Sequence, residues 1–392
     1  MTERFAASRS RFDSIDLLRG MVMILMALDH TRDYFFNQSS IDPADMAHTT
    51  PALFLTRWIT HFCAPVFVLL AGTGAFLYGR RLPQDLPKFL LSRGVWMIVL
   101  ELTIVRFGWA FNLDYAQSVA QVIWAIGWAM IALAAFVRLP VRTIGIIGAA
   151  IIALHNSLDN VASQSFGAAD WLWKLLHEGG ATGRSGFELW ALYPIIPWPG
   201  VMMLGYALGD TYTWEATQRR RFLLRLGMAA VVLFAVIRAI NLYGDLQPWA
   251  MQSDIVFTAM SFLNCTKYPP SLDYLLMTLG PALIVLGFAE KLAVANSWLA
   301  RAVTIYGRVP LMYYVAHLYL IHITAVIVCM AQGLPVNWLF RNDWFMSHPA
   351  GYGFGLSGVY VIWILIVVSL YYFCLKYAEF KSRSTLLVWK YL

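Results

Sequence analysis

Residues 14–36 read SIDLLRGMVMILMALDHTRDYFF, a stretch of bilayer-crossing length that nevertheless carries Asp16, Arg19, Asp29, His30, Arg32 and Asp33. At about 1.5 Å per residue, a helix of this length reaches across a hydrocarbon core roughly 30 Å thick. A charge at bilayer depth costs roughly 3 kcal/mol even on the lenient insertion scale, so ionisable groups in such a segment mark a pathway or a site.

The same apolar signal recurs outward along the chain. Of 392 residues, 59% are hydrophobic and 13% charged, against about 25% charged in an average soluble domain. Ten spans are predicted, at about 15–36, 54–79, 89–111, 117–137, 141–156, 194–210, 222–243, 272–290, 309–331 and 355–376. The expected fold class is therefore all-α, a polytopic membrane bundle of about ten transmembrane helices forming one domain over 1–392. Its first 13 residues are polar and basic and its first apolar run has full span length, so no cleavable signal peptide is expected.

Charge sidedness orients the bundle. With the N-terminus inside, 20 of the 29 Lys and Arg fall in cytoplasmic segments, among them Arg4, Arg9, Arg11, Arg80, Arg81, Arg219, Arg220, Arg221, Arg225 and Lys390. Four (Lys174, Arg184, Lys267 and Arg341) fall on the other side. The positive-inside rule then puts both termini, with tails at 1–13 and 377–392, in the cytoplasm. The net charge of +7 is thus a topology signal, and no nucleic-acid partner is expected. The long loops, 37–53, 157–193, 244–271 and 332–354, lie outside, where a binding site is expected. On the inner side, NSWLARAV (296–303) reads as an amphipathic surface helix.

Several chemistries are absent from the sequence. Cys63, Cys265, Cys329 and Cys374 show no paired spacing and read as small apolar side chains. There is no HExxH, no i,i+4 histidine pair and no thiolate cluster, so no metal is expected. P-loop, dinucleotide and GxSxG signatures are missing too.

On the first helix, Asp16, Arg19 and His30 share one stripe with Gly20, and about 16 Å of helix axis separates Arg19 from His30. Snorkelling accounts for Arg32 and Asp33. It serves Asp16-x-x-Arg19-Gly20 less well, because glycine there permits close backbone approach. The second span, TRWITHFCAPVFVLLAGTGAFLYGRR (56–81), sets Arg57 and His61 on one face. Pro65 has no N–H, which frees the His61 carbonyl for another partner. Between the two spans, DPADMAHTTPA (42–52) places His48 in a loop. Three histidines thus converge on the outer side, and imidazole is the side chain best suited to take and return a proton near neutral pH. Glu101 stands mid-span, where a buried partner such as Arg19 or Arg106 would suit it, although Arg106 is five residues on and does not face it directly. His317 and His322, in GRVPLMYYVAHLYLIHI (307–323), read equally as site residues or as polar contacts between helices.

The first span, the His48 loop and THFCAPVFVLLAGTGAFL (60–77) together resemble the transmembrane acyltransferase superfamily, and within it bacterial relatives of heparan-α-glucosaminide N-acetyltransferase. IIPWPGVMMLGYALG (195–209), KYPPSLDYLLMTLGP (267–281) and the His317 segment add to the likeness. The resemblance implies an enzyme of the bacterial inner membrane that uses cytosolic acetyl-CoA to acylate a sugar or amino sugar on the far side. It implies a catalytic histidine in the outer loop, matching His48, with His30 and His61 as further candidates and Asp29 orienting an imidazole. At His61 the better known members tend to carry an acidic residue. On the donor side it matches Asp16, Arg19 and Gly20, with Arg80 and Arg81 suited to the phosphates of coenzyme A. The implied partners are the lipid bilayer and a small-molecule or glycan acceptor, and a homo-oligomer is compatible. Two other readings stand beside this one: a proton-coupled transporter relaying protons through His, Asp and Arg, and a catalytically silent membrane component.

Overall fold

The computed structural model describes residues 13–38, 41–183, 186–294 and 297–384. Arg4, Arg9, Arg11, Arg184 and Lys390, counted above for topology, lie outside these residues. The helices are α1 (Asp13–Phe35), α2 (Pro51–Thr60), α3 (Cys63–Gly79), α4 (Leu86–Leu100), α5 (Arg106–Ala110), α6 (Val122–Phe136), α7 (Val141–Leu154) and α8 (Asp170–Trp173). They continue with α9 (Pro197–Gly209), α10 (Ala216–Ile240), α11 (Ile255–Leu263), α12 (Leu272–Val294), α13 (Trp298–Arg308), α14 (Pro310–Ala331) and α15 (Leu356–Arg383). Strands β1 (Gln117–Ala120), β2 (Gly180–Ala181) and β3 (Glu188–Ala191) form a small sheet in the order β1-β3-β2.

Every predicted span holds a helix or two consecutive helices. Six stretches are long and apolar enough to cross a membrane: Pro51–Gly79, Val141–Leu158, Ala216–Ile240, Leu272–Lys291, Pro310–Ala331 and Leu356–Arg383. The protein is a helical membrane protein. Helix α1 has the length, 23 residues, and differs from these six in its charges. It packs against six other helices, α2, α3, α12, α13, α14 and α15. The charged first helix therefore faces protein along most of its length, which is where intramembrane charge is tolerated. By contrast, Val232 and Val236 of α10 and Leu365 and Val368 of α15 are exposed, as lipid-facing positions should be.

Two predictions need correction. Residues 117–120 do not begin a span. They form β1, which pairs in parallel with β3 through Gln117↔Glu188 and Ala120↔Ala191. The fold thus adds a three-stranded sheet to the helices, and only the distant segment 188–191 decides it, a tertiary override of local preference. Glu101 pairs with neither Arg19 nor Arg106. It opens a π-turn, Glu101–Val105, between α4 and α5, and its carboxylate accepts from the Trp124 amide at 3.0 Å in the first turn of α6. A helix N-terminus carries partial positive charge and unpaired N–H groups, so it suits a buried acid. Arg106 instead donates to the carbonyls of Asn112, Asp114 and Gln117 and ties down the loop that leads into β1.

The segment around NSWLARAV is helical from Trp298 on, as expected, but it is wedged against α1 rather than lying free on the surface. A Cβ on Gly20 would overlap the Val303 carbonyl oxygen, and one on Gly307 would overlap that of Asp16. Only glycines allow this backbone-to-backbone crossing.

Candidate functional site

At the loop-rich end of the bundle a cavity of about 240 Å³ opens between α1, α2, α3 and α5. The last turns of α1 supply Asp29, His30, Arg32 and Asp33, and α2 supplies Arg57 and Thr60. Trp109 comes from α5, Tyr193 from the stretch before α9, and Lys267 and Tyr268 from the stretch before α12.

A charged network fixes one wall. The Asp29 carboxylate lies between two arginines: one oxygen accepts from Arg57 Nη1, and the other is 3.0 Å from Arg32 Nη2. Arg32 also donates to Asp33 at 2.6 Å. Enclosed acids and guanidinium groups hold each other in place here, and removing one partner would strand the other's charge.

The second feature is a histidine pair. His30 Nδ1 is 2.7 Å from His317 Nε2, and His317 Nδ1 is 3.0 Å from the Tyr313 carbonyl oxygen one turn earlier on α14. A carbonyl only accepts, so His317 Nδ1 carries a proton and its Nε2 presents a lone pair. His30 must then donate from Nδ1, which leaves Nε2 as the basic nitrogen of its neutral ring. The ring is further held by the edge of Trp109, with centroids 4.8 Å apart, and by Tyr314 at 6.1 Å. An imidazole with a fixed tautomer lining a cavity is the arrangement that general-base chemistry requires.

Of the three histidines expected to converge, only His30 enters the cavity. The side chain of His48 is 70% exposed and its Nδ1 is 2.6 Å from Asp45, a hydrogen bond that draws the Asp45 carboxyl below its ordinary pKa. His61 is buried at the break between α2 and α3, its ring against Tyr274 with centroids 5.5 Å apart. Its carbonyl, freed by Pro65, accepts from the Tyr274 hydroxyl at 2.7 Å. Asp29 faces the arginines rather than an imidazole, and the residue that orients His30 is His317. The sequence showed His317 only as one of two readings; its spacing of four from Tyr313 was the available signal. Lys267 and Tyr268 stood in a segment quoted only for its family likeness, and Trp109 carried no signal of its own.

At the opposite end of α1, Arg19 donates to Asp16 at 3.0 Å and to the Gly307 carbonyl at 3.0 Å. The Asp-x-x-Arg-Gly pattern therefore has a packing reason: Gly20 admits α13 and Arg19 tethers it. Arg80 and Arg81 are exposed at the end of α3. Close by, a cavity of about 350 Å³ is lined by Gly79, Pro83, Leu86, Arg138 and Tyr206 among others. Among the described residues, no group of three or more His, Cys, Asp or Glu is placed to hold a metal ion.

A search of curated proteins finds no match to this chain. The family described as heparan-alpha-glucosaminide N-acetyltransferase, catalytic, matches residues 11–239. That segment includes the charged end of α1, Arg57 and Trp109, while Lys267 and His317 lie beyond it. The match covers more than half of the 392 residues, and the chain belongs to this family of acetyltransferases, built here as a helical membrane protein.

Proposed function

We propose that the protein transfers an acetyl group from acetyl-CoA, supplied at the cytoplasmic end of the bundle, to an amine or hydroxyl of a sugar held in the cavity at the outer end. The observation that carries this reading is the His30–His317–Tyr313 chain, which leaves a basic Nε2 on a residue lining the cavity. The acceptor's N–H or O–H gives its proton to His30 Nε2 as its heteroatom bonds to the acetyl carbon. The carbon–sulfur bond breaks, and the departing thiolate takes the proton back from the imidazolium. His317 stabilises that imidazolium through the proton on His30 Nδ1, as an orienting partner does in a catalytic triad. A positioned base of this kind contributes about 10²–10⁴-fold.

Three observations support the sidedness and the donor end. The Lys and Arg excess falls on the side opposite the long loops. Arg19, Arg80 and Arg81 lie at that same end, and planar guanidinium groups suit phosphates. About 16 Å of α1 separates Arg19 from His30, a distance an extended thioester arm can bridge. His48, solvated against Asp45, has no part in this reading.

The test uses purified protein in detergent with acetyl-labelled acetyl-CoA and glucosamine, following thiol release and label transfer. His30→Gln should abolish transfer, while His48→Ala and His61→Ala should retain it in folded protein. Loss in His48→Ala alone would move the base to the loop. Absence of thiol release by wild type with any sugar would defeat the acyltransferase reading and favour proton-coupled transport.

A further inference from the structure

Three cations line the outer cavity, Arg32, Arg57 and Lys267, against two carboxylates, Asp29 and Asp33. The arginines are matched, Arg57 to Asp29 and Arg32 to both acids. Lys267 is not: among the described residues no carboxylate forms an ion pair with it, although the residue is only 9% exposed. Its ammonium has the Tyr268 ring as a neighbour, 5.2 Å from the centroid. A lysine in such a place is normally paired; here Asp29, already bound by the two arginines, feels the Lys267 charge only through space.

The turn that carries the lysine is also fixed. Asp245 accepts from the Thr266 amide at 2.8 Å and from the Thr266 hydroxyl at 2.7 Å. The Ser271 amide closes the turn on the Thr266 carbonyl at 3.0 Å, and the Ser271 hydroxyl donates to Asp245. The backbone that carries Lys267 is therefore fixed at both ends, the preorganisation that lets one charge select a ligand. The field it creates is felt next door. Burial opposes ionisation of the Tyr268 phenol, yet the neighbouring Lys267 and Arg57 outweigh it and hold that phenol below its ordinary pKa.

We propose that the cavity takes a sugar bearing one anionic substituent, a phosphate or a carboxylate, and that Lys267 is the group that meets it. This rests on the acyl-transfer reading for the identity of the cavity as an acceptor site. A volume of about 240 Å³, below the roughly 300 Å³ at which drug-sized sites begin, holds about one sugar ring. The remainder of a longer acceptor extends into the outer solvent. The one surplus positive charge sets the preference for one anionic group. Phosphate and carboxylate share the chemistry of a charge-assisted hydrogen bond to an ammonium, and separate arms of the experiment tell them apart.

Binding is measured by calorimetry and thermal unfolding without acetyl-CoA, so that it is read independently of turnover. The probes are glucosamine, glucosamine 6-phosphate and glucuronate. At least one anionic sugar should bind wild type about 10–100-fold more tightly than glucosamine, the range of a hydrogen bond to a charged group. Lys267→Met should erase that difference, and Lys267→Arg should keep most of it. Without ligand, the Lys267→Met protein should unfold at the same temperature as wild type or higher, because the change removes an enclosed cation that forms no ion pair among the described residues. Equal binding of neutral and anionic sugars by wild type overturns the proposal. So does a Lys267→Met protein that is destabilised without ligand, as loss of a structural cation would make it. Equal slowing of turnover by Lys267→Met for neutral and anionic sugars, with binding unchanged, also overturns it and assigns the ammonium to the reacting carbonyl. Turnover of neutral sugars alone would end this inference and leave the transfer reading standing, whereas tight binding of an anionic sugar without thiol release would do the reverse.

Discussion

His317 is the residue whose removal separates a positioned base from a merely buried histidine. Its Nε2 accepts from His30 Nδ1 at 2.7 Å while its own Nδ1 donates to the Tyr313 carbonyl at 3.0 Å. In His317→Met the acceptor is gone, so His30 loses the contact that keeps its proton on Nδ1, and Nε2 is no longer held in the basic form. Partners of this kind are worth about 10–100-fold where they orient a ligating or reacting imidazole. At about 1.4 kcal/mol per decade, that corresponds to roughly 1.4–2.7 kcal/mol of transition-state stabilisation. The same substitution leaves an enclosed N–H unpaired, which costs about 1–3 kcal/mol of stability. His317→Gln tests the mechanism directly, since its amide oxygen reaches about where Nε2 lies and accepts the same proton. The assay is label transfer per folded protein over a range of pH, with thermal unfolding in parallel. The expected result is a 10–100-fold loss of kcat/KM and a displaced pH profile in His317→Met, with both largely restored in His317→Gln. A His317→Met protein that is destabilised yet transfers acetyl within about threefold of wild type, on an unchanged pH profile, would refute the reasoning.

Three further outcomes are expected. Tyr274→Phe removes the donor to the His61 carbonyl; because Tyr274 is fully buried, the orphaned acceptor should cost about 1–3 kcal/mol in thermal unfolding, and no loss would mean that water or another donor serves it. Gly307→Val forces a side chain into the Asp16 backbone, so α1 and α13 must part at a cost of at least about 3 kcal/mol, the upper end for overpacking, read as a lowered unfolding temperature. His348 packs against Trp338 with ring centroids 4.7 Å apart, and burial lowers its pKa although nearby Asp33 works the other way. The unfolded chain then binds more protons than the folded one below about pH 6.5, so stability from this group is complete above that pH and falls with acidification. Hydrogen exchange in residues 338–352 should accordingly rise on acidification to pH 5 in wild type, and the acid-dependent part should vanish in His348→Phe.

The parts of this molecule that were readable in sequence are those decided within one segment. The spans follow from apolar run length, and the freed His61 carbonyl followed from a proline four residues on. Readings failed where a partner distant in sequence decides. Strand β1 exists because residues 188–191 offer it a ladder, and Glu101 is satisfied by the first turn of α6 rather than by an arginine. His48 stands in its loop as expected, exposed and bonded to Asp45 three residues earlier. His317 is 287 residues from the histidine it contacts. Lys267 acquires its meaning only from a charge balance struck across three separate segments, which no local pattern expresses.

The two charged ends of α1 therefore have different causes. At the Asp16–Arg19 end, the arginine answers a carbonyl on α13, the glycine next to it lets the two backbones touch, and the ionic pair keeps the arginine from being buried alone. That end can be understood through packing, whether or not a donor's phosphates also reach it. At the Asp29–Asp33 end, packing does not suffice. Two acids and two arginines could satisfy one another in a closed core, yet they border an open cavity, and beside them stand a histidine with a fixed proton and a lysine that forms no ion pair among the described residues. A membrane protein selected for stability alone would gain by exchanging that lysine for an apolar side chain. A lysine in a preformed turn beside that network is what is expected of a group whose partner arrives from solution, so the loop-rich end of the first helix is where the chemistry is to be sought.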